Sequence, residues 1–429
     1  MNIVRNASIL FVATMAGNVA NYSFQFIMGR SLSVEDYGAM NALLSVSTTI
    51  TLPASAVMMV MAKYASVYAA TGKDGGLSSL YRGSLTRVAL LAVAVTGLFL
   101  LFAPAIRGYL RIADLVPVIL LSIGILGSFL MTVNLGIIQG VQRFYWLGVG
   151  IGLGGVLRLA IGVILVYLGT GLDGAILATV LPAMFIFLIT LVPLYNLLGG
   201  TGGGFSHENI LKYSVPVFIS SSAIAFLSNV DLVMAKHYLD PVDAGLYASV
   251  AVLGKTMLYI PSSFALALFP MVSSADLVNG DSFRILDKAL ICTALIGAAG
   301  LAVFALFPDL LITLLFGQRF AEAEGYLKYY AFAMTLMSLL SILISFNLAR
   351  GSTQFVYSLA AGCAMTVAAI WFFHANILEV VLSLTAVFFI VTAYNLIQSY
   401  RERHAFYRAY GDETYKTATA DFDADRDGV

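Results

Sequence analysis

The chain has little charge for its length. Only 11% of its 429 residues are Asp, Glu, Lys or Arg, while 60% are hydrophobic. A soluble globular domain carries roughly 25% charged residues, so the composition excludes an ordinary soluble fold and indicates a membrane protein. The formal net charge is zero. This leaves no basic surface for nucleic acid, and we expect no nucleic-acid partner.

Cysteine and histidine are also scarce. The two cysteines, Cys292 and Cys363, lie inside apolar runs, and the four histidines lie in loops or near the ends of such runs. Neither set has the spacing of a metal site or of a disulfide framework. No nucleophile–base pair or paired carboxylates follow from spacing either. The sequence therefore predicts no metal site, no catalytic residue, no cofactor and a protein that is not an enzyme.

Long apolar runs, by contrast, are abundant. A helix that crosses a bilayer needs about 20 apolar residues. Twelve such runs are present, and they predict spans at 7–28, 38–61, 85–104, 115–138, 145–168, 174–197, 211–235, 245–270, 287–307, 326–348, 353–373 and 376–398.

The second half of the chain repeats features of the first, about 207 residues further on. Residues 27–38 contain a Met, a basic residue and an Asp-Tyr-Gly, and residues 233–245 contain a Met, a basic residue and an Asp-Ala-Gly. Residues 52–55 match 260–263 in the same way. Six spans per copy is an even number, so both copies enter the membrane in the same sense and form parallel repeats.

These patterns predict four regions. An N-lobe covers residues 1–198, a linker with five glycines in a row of six covers 199–208, a C-lobe covers 209–399, and residues 400–429 form a polar tail that we expect to be disordered. Most lysines and arginines outside the spans fall on the side of the two termini, which predicts that both termini are cytoplasmic.

Three charged residues lie within predicted spans, where they are costly. Arg158 and Lys255 lie near the middle of the fifth and eighth spans, and Asp231 lies in the outer part of the seventh. One interpretation is structural, with Asp231 paired to Lys255 or to Lys236. The other is functional, since two mid-span cations against one acid favour an anionic passenger, and a guanidinium matches phosphate or carboxylate.

Polar residues mark one face of the first span. Asn18, Asn21 and Gln25 follow the spacing i, i+3, i+7, and Asn229 lies in the seventh span among several serines. Such faces can line a central cleft and bind sugar hydroxyls. The alternative is hydrogen bonding between helices.

Two kinds of helix-breaking or small residues recur inside the spans. Pro53 and Pro261 occupy matched positions in the second helix of each half and predict kinks, which are either hinges or static bends. Gly150, Gly152 and Gly155 give a G-x-G-x-x-G pattern. Because it lies within a span, close packing of helices explains it better than a dinucleotide site.

Three segments resemble a known family. Residues 29–38, 229–247 and 139–144 are similar to loop segments of bacterial lipid-linked oligosaccharide flippases, the polysaccharide transport branch of the multidrug/oligosaccharidyl-lipid/polysaccharide superfamily. The resemblance implies an all-α integral membrane protein whose twelve transmembrane helices form two six-helix lobes in a V around a central cavity. It implies alternating access that moves a polyprenyl-pyrophosphate-linked oligosaccharide across the cytoplasmic membrane for surface polysaccharide synthesis.

The resemblance also implies roles for residues and partners. By analogy Arg158 and Lys255 hold the pyrophosphate or acidic sugars, and Asp231 is the candidate for coupling to Na⁺ or H⁺. The expected partners are the glycolipid, membrane lipids and a glycan polymerase or glycosyltransferases, with a monomeric carrier in a bacterial inner membrane. Alternatives are a cation-coupled multidrug antiporter of the same superfamily, a membrane-embedded glycan polymerase or ligase, and a scaffold without transport.

Overall fold

A computed structural model describes residues 3–72, 74–199, 208–259, 282–352 and 354–424, and every regular element in these ranges is helical. The α-helices are α1 Ile3–Ser31, α2 Val34–Thr51, α3 Ser55–Ala70, α4 Asp74–Tyr109, α5 Val116–Gly140, α6 Phe144–Gly148, α7 Gly154–Tyr167, α8 Gly171–Leu191, α9 Tyr195–Leu198, α10 Glu208–Leu227, α11 Val230–Tyr238, α12 Pro241–Gly254, α13 Ser282–Leu306, α14 Pro308–Phe316, α15 Glu324–Ala349, α16 Phe355–Phe372 and α17 Ile377–Ala424. Three 3-10 turns, Leu52–Ala54, Val192–Leu194 and Gln318–Ala323, and one π turn, Val149–Leu153, join or interrupt them.

The helices agree with the predicted membrane spans. Ten described helical segments are long and apolar enough to cross a bilayer. Two further predicted spans coincide with α1, which is long enough, and with α12; residues 260–270 of the latter span lie outside the described residues. Lipid offers no hydrogen bonds to the backbone, so helices are the form that such apolar runs take in a membrane.

The helices pack as two bundles. In the first half, α5 contacts α3, α4 and α8, and α1 packs along α7. In the second half, α15 packs against α13 and α17, and α17 also packs against α16. The predicted glycine-rich linker lies almost wholly in residues 200–207, outside the described residues. The bounds predicted for the lobes and the linker therefore stay predictions.

Small residues allow α1 and α7 to approach closely. A methyl group at Gly155 would lie 2.4 Å from the backbone oxygen of Gly17, and one at Gly152 would lie 2.6 Å from that of Ala13. These distances are too short for any side chain. The G-x-G-x-x-G pattern is therefore a helix-packing surface, as predicted.

The two lobes meet at the end of the bundle that carries the short turns between α1 and α2 and between α11 and α12, here called the hairpin end. Gly38 in α2 and Gly245 in α12 occupy matched positions of the two repeats and contact each other directly. A methyl group at Gly38 would lie 2.8 Å from the backbone nitrogen of Gly245, and one at Gly245 would lie 2.0 Å from the oxygen of Val34. At this point the two lobes therefore touch through backbone atoms.

Side chains extend this closure on both sides. The ring of Phe316 lies over Gly29 of the other lobe and packs edge-on against Tyr37, with ring centroids 5.6 Å apart. His237 stacks on Tyr109 at 3.9 Å and its Nδ1 lies 2.7 Å from the Tyr109 carbonyl oxygen. These contacts close the hairpin end.

Three features depart from the sequence predictions or refine them. Pro53 lies in the 3-10 turn between α2 and α3, where the predicted break occurs, while Pro261 lies outside the described residues. The seventh span is interrupted at Ser228 and Asn229, so the single helix predicted over 211–235 is two helices. The sequence predicts a disordered tail over 400–429, whereas α17 continues as far as Ala424. This part of the helix has no proline, and extending an existing helix is easier than starting one.

We expect Gly245→Ala to open the hairpin end, because the added methyl group meets fixed backbone of the other lobe. Cysteines placed at Tyr109 and His237, in a chain without its native cysteines, should cross-link well in the parent and several-fold less in the Gly245→Ala background. Gly325→Ala is the matched control, since a methyl group there meets nothing within 4 Å. Equal cross-linking in a well-folded Gly245→Ala protein would contradict this account of the closure.

Candidate substrate and ion site

The break in the seventh span places a carboxylate at a helix start. Helix α10 ends at Leu227, α11 begins at Val230, and Asp231 lies in the first turn of α11. The N-terminus of a helix carries a partial positive charge that stabilises an acid there. Asn229 bridges the gap by donating from Nδ2 to the backbone oxygen of Ala225 at 2.8 Å.

Asp231 is completely buried and accepts two hydrogen bonds on one oxygen. The hydroxyls of Tyr247 and Tyr330 donate to Oδ2 at 2.9 and 2.7 Å. Tyr330 reaches this position because Gly254 has no side chain; a methyl group there would lie 2.3 Å from its ring. The second oxygen, Oδ1, has no partner among the described residues.

Lys255 lies one residue after α12 ends. The chain makes a single turn residue at Lys255 and resumes a helix over 256–259. The side chain is 7% exposed, and Nζ donates to Oδ1 of Asn229 at 3.1 Å. The backbone N–H of Lys255 donates to the oxygen of Ala251 at 3.0 Å and its carbonyl accepts from the N–H of Tyr259 at 3.1 Å, so helical bonding continues through this residue. Lys255 and Asp231 interact electrostatically.

The predicted pairing of Asp231 with a lysine as a direct ion pair is not present. Ion pairs join Arg350 to Glu402 and Arg403 to Asp287, and neither includes Asp231. Lys236 instead reaches into the other lobe and donates to the backbone oxygen of Glu35 at 3.4 Å. Asp231 is held by tyrosines, and Lys255 by an asparagine.

Arg158 forms the corresponding centre of the first lobe. It projects from α7 toward α1, where Nη1 donates to Oδ1 of Asn21 at 3.2 Å and the guanidinium lies 4.2 Å from the ring centre of Phe24. Its Nε is buried and has no hydrogen-bond partner among the described residues. The guanidinium therefore has donors to spare, and no described carboxylate forms an ion pair with it.

Gln25 and Asp231 occupy matched positions of the two repeats, and each accepts from a tyrosine. The hydroxyl of Tyr37 lies 3.3 Å from Oε1 of Gln25. Tyr37 is fully buried and interacts electrostatically with Arg158. Of the predicted polar face of the first span, Asn21 and Gln25 take part in this network. Asn18 is exposed and makes none of these contacts.

The structure therefore gathers the predicted site residues into two sets, one per lobe. The N-lobe set contains Asn21, Gln25 and Arg158, and the C-lobe set contains Asn229, Asp231 and Lys255. No described hydrogen bond or ion pair joins the sets. Sequence reasoning missed the three tyrosines, Tyr37, Tyr247 and Tyr330. Tyr37 and Tyr247 lie close to the Asp-X-Gly pairs of the repeat, which is a signal that could have indicated them.

A cavity of about 290 Å³ lies at the hairpin end, away from both sets. Acidic and basic side chains of the N-lobe line it together with Lys236 of the C-lobe. None of the predicted site residues does. The cavity is part of the closed contact between the lobes.

Solved structures of membrane transporters share this fold. Over 91% of this chain and 98% of the other, the structure matches an inward-facing multidrug resistance MATE family transporter of the MOP superfamily, with a TM-score of 0.72 at 14% identity. The lipid II flippase MurJ in an inward closed conformation matches with a TM-score of 0.69 at 14% identity, covering 91% and 87% of the two chains. The chain therefore has the same fold as these two proteins, as the resemblance implied.

The family is shown by sequence. The model of the family described as polysaccharide biosynthesis protein matches residues 3–276, more than half of the chain. The protein belongs to that family, which confirms the resemblance seen in its loop segments. An uncharacterized membrane protein of Methanocaldococcus jannaschii is 20% identical over 368 residues, which cover 80% of this chain and 84% of the relative.

We expect Tyr330→Phe to lower stability by about 1.5–3 kcal/mol, because a buried carboxylate loses a charge-assisted hydrogen bond. Thermal unfolding of the purified protein in detergent measures this. Tyr329→Phe is the control, since that neighbouring ring is 39% exposed and should change stability by less than about 0.5 kcal/mol. The effect of Tyr330→Phe should shrink in an Asp231→Asn background; an unchanged effect would mean that the hydroxyl of Tyr330 does not act through the charge of Asp231.

Proposed function

We propose that the protein is a flippase that moves a polyprenyl-pyrophosphate-linked oligosaccharide, or a related glycan lipid, across the cytoplasmic membrane by alternating access. The observation that carries the proposal is Arg158. It is a guanidinium within a membrane span, with an unsatisfied buried donor and no ion pair to a described carboxylate. A charge at this depth is costly and is typical of a substrate pathway.

The chemistry of Arg158 favours a phosphorylated passenger. A guanidinium binds phosphate oxygens through two parallel hydrogen bonds and remains charged. Asn21 accepts one bond from Nη1 and orients the group, while Phe24 covers one face of the guanidinium plane. The other donors are left for an anionic ligand such as a pyrophosphate.

The polar residues around this centre suit the sugar part of the same substrate. Amide side chains such as Asn21, Gln25 and Asn229 bind hydroxyl groups both as donors and as acceptors. Asn18 is exposed on the same helix and extends the polar face. The family membership supports a role in polysaccharide synthesis, in which a glycan polymerase or glycosyltransferases supply and consume the lipid-linked sugar.

Charge balance argues against an antiporter for organic cations. Such a carrier needs acids that face its cleft. The buried acid Asp231 already has two tyrosine hydroxyls on Oδ2 and Lys255 close by. Counting Arg158, the mid-span groups carry net positive charge, which repels a cation and attracts an anion.

The closed hairpin end fits one state of a transport cycle. We place this end at the outer membrane surface, since the sequence predicts cytoplasmic termini. The glycan would enter from the cytoplasmic side while the lobes are closed outside, and separation of Gly38 from Gly245 would then release it. Asp231 is the candidate coupling group, and Pro53 is a candidate hinge in this movement.

The main test is transport by the purified protein. In proteoliposomes, the parent protein should translocate a fluorescent polyprenyl-pyrophosphate-linked glycan, and Arg158→Ala should reduce the rate at least about tenfold, corresponding to roughly 1.4 kcal/mol. Arg158→Lys should recover part of the rate, because it keeps the charge but loses the fork. Arg401→Ala, an exposed arginine in α17, should transport normally.

Two outcomes would reject the proposal in different ways. Absence of flipping by well-folded parent protein would remove the proposed function. Full flipping by Arg158→Ala at normal abundance would remove Arg158 from the substrate site and leave transport in place.

The proposed orientation has its own test. Single cysteines at Asp240 and at Thr71, both exposed, mark the two ends of the bundle. In intact cells a membrane-impermeant maleimide should label the first and leave the second unlabelled until the cells are opened. The reverse pattern would invert the topology.

A further inference from the structure

The basic residue of the two repeated segments has no part in the proposed substrate site. Arg30 in the first copy and Lys236 in the second occupy matched positions, each two residues after a methionine. Both lie in the last turn of a helix at the hairpin end, Arg30 in α1 and Lys236 in α11. The repeat therefore places one cation of each lobe where the two lobes meet.

Arg30 of the N-lobe reaches into the C-lobe. Its Nε donates to the backbone oxygen of Leu315 at 3.2 Å, and its Nη2 donates to that of Leu314. Both oxygens belong to the last turn of α14, where carbonyl groups lack partners within the helix and the helix dipole favours a cation. The backbone oxygen of Arg30 in turn accepts a hydrogen bond from Arg319 of the C-lobe. Arg30 thus caps a helix end of the other lobe.

Lys236 of the C-lobe reaches into the N-lobe. Its Nζ donates at 3.4 Å to the backbone oxygen of Glu35, in the first turn of α2, and the side chain is buried. The carboxylates of Glu35 and Asp36 attract the ammonium, while Arg111 repels it. All four residues line the cavity at the hairpin end, so acids of the N-lobe offset the cost of burying this charge.

The two contacts are reciprocal and use the same chemistry. In each, a cation of one lobe donates to backbone oxygen that a helix of the other lobe holds in place. Both bonds have to break if the lobes move apart at the hairpin end, because each crosses the boundary between them. A hydrogen bond from a charged donor is stronger than a neutral one, and an acceptor left without its donor is destabilising. The closed state is therefore stabilised by both cations.

We propose that Arg30 and Lys236 form a matched pair of interlobe hydrogen-bond donors that hold the hairpin end closed, and that both release their acceptors when the lobes separate there. The contact of Gly38 with Gly245 allows the close approach, and the two cations keep the lobes together. This inference concerns closure of the fold and does not rest on the proposed function. In the proposed transport cycle, release of both cations would precede exit of the passenger.

The test measures how often the hairpin end opens, through the reactivity of a buried cysteine. Ser249 is fully buried in α12, four residues after Gly245 and on the same helix face. Its hydroxyl donates to Leu246 of the same helix, so Ser249→Cys is a mild change. In a chain without its native cysteines, this thiol should react with a soluble maleimide when the lobes part. The labelling rate of the purified protein in detergent then follows the opening equilibrium.

Removal of either cation should speed labelling. Arg30→Met and Lys236→Met each leave backbone oxygen of the other lobe without its donor, so the rate should rise at least about threefold, and further in the double variant. Arg107→Met is the matched control. Arg107 lies at the same end, but its Nε donates at 3.2 Å to the backbone oxygen of Ile112 in its own lobe, and its replacement should leave the rate unchanged.

Restoring a donor tests whether the hydrogen bonds are responsible. Arg30→Lys and Lys236→Arg keep both the charge and N–H donors, and the cavity beside Lys236 leaves room for the larger group. Their labelling rates should therefore lie below those of the methionine variants. Rates as high as those of the methionine variants would overturn the inference.

Two further results would also overturn it. One is parental labelling in either methionine variant when that variant is folded, and the other is an equal rise in Arg107→Met. If Lys236→Met does not fold, Arg30→Met decides, because Arg30 is exposed and its replacement leaves the core intact. Absence of flipping together with the expected labelling rates would reject the proposed function and leave the pair of donors in place.

Discussion

A polypeptide backbone inside hydrocarbon has no water to bind, so each interruption of a membrane-spanning helix has to be satisfied by the protein. This constraint organises the C-lobe centre. The break after Leu227 exposes two helix ends, and the polar side chains of Asn229 and Asp231 lie there. An acid at the start of α11 is the arrangement that the helix dipole favours.

The N-lobe centre differs from the C-lobe centre in its charge and in its neighbours. Its centre has a cation whose neighbours are an amide and an aromatic ring, with no ion pair to a described carboxylate. Close packing of glycines in α1 and α7 brings Arg158 against the first helix and fixes it there. The repeat thus preserves where helices meet, while the charged groups placed on it differ. Gln25 and Asp231 illustrate this difference. They lie at matched positions and each accepts a hydrogen bond from a tyrosine hydroxyl, but Gln25 is a neutral amide and Asp231 is an acid.

The membrane spans, the repeat and the candidate charged residues could be predicted from the sequence. A long apolar run with few charges indicates a helix that crosses the membrane. Arg158, Asp231 and Lys255 were recognisable since an ionisable residue in a long apolar run is itself the signal. Their partners were not. Tyr247 and Tyr330 reach Asp231 from different helices, and no local pattern reports which helices pack together. The break at Asn229 was also not predicted, because it lies within an apolar run that predicts one continuous helix. Ser-Asn before an acid is nevertheless typical of a helix start.

The meeting of Gly38 with Gly245 has a consequence for how such a chain can change over time. These residues are repeat counterparts; a side chain at Gly38 would meet the backbone of Gly245, and one at Gly245 would meet the backbone of Val34. Elsewhere the two copies differ at matched positions, as Gln25 and Asp231 do. At this point a substitution in either copy alters the same contact, so both copies remain under one shared restriction. The sequence similarity between the two copies is therefore expected to persist longest where the two halves touch.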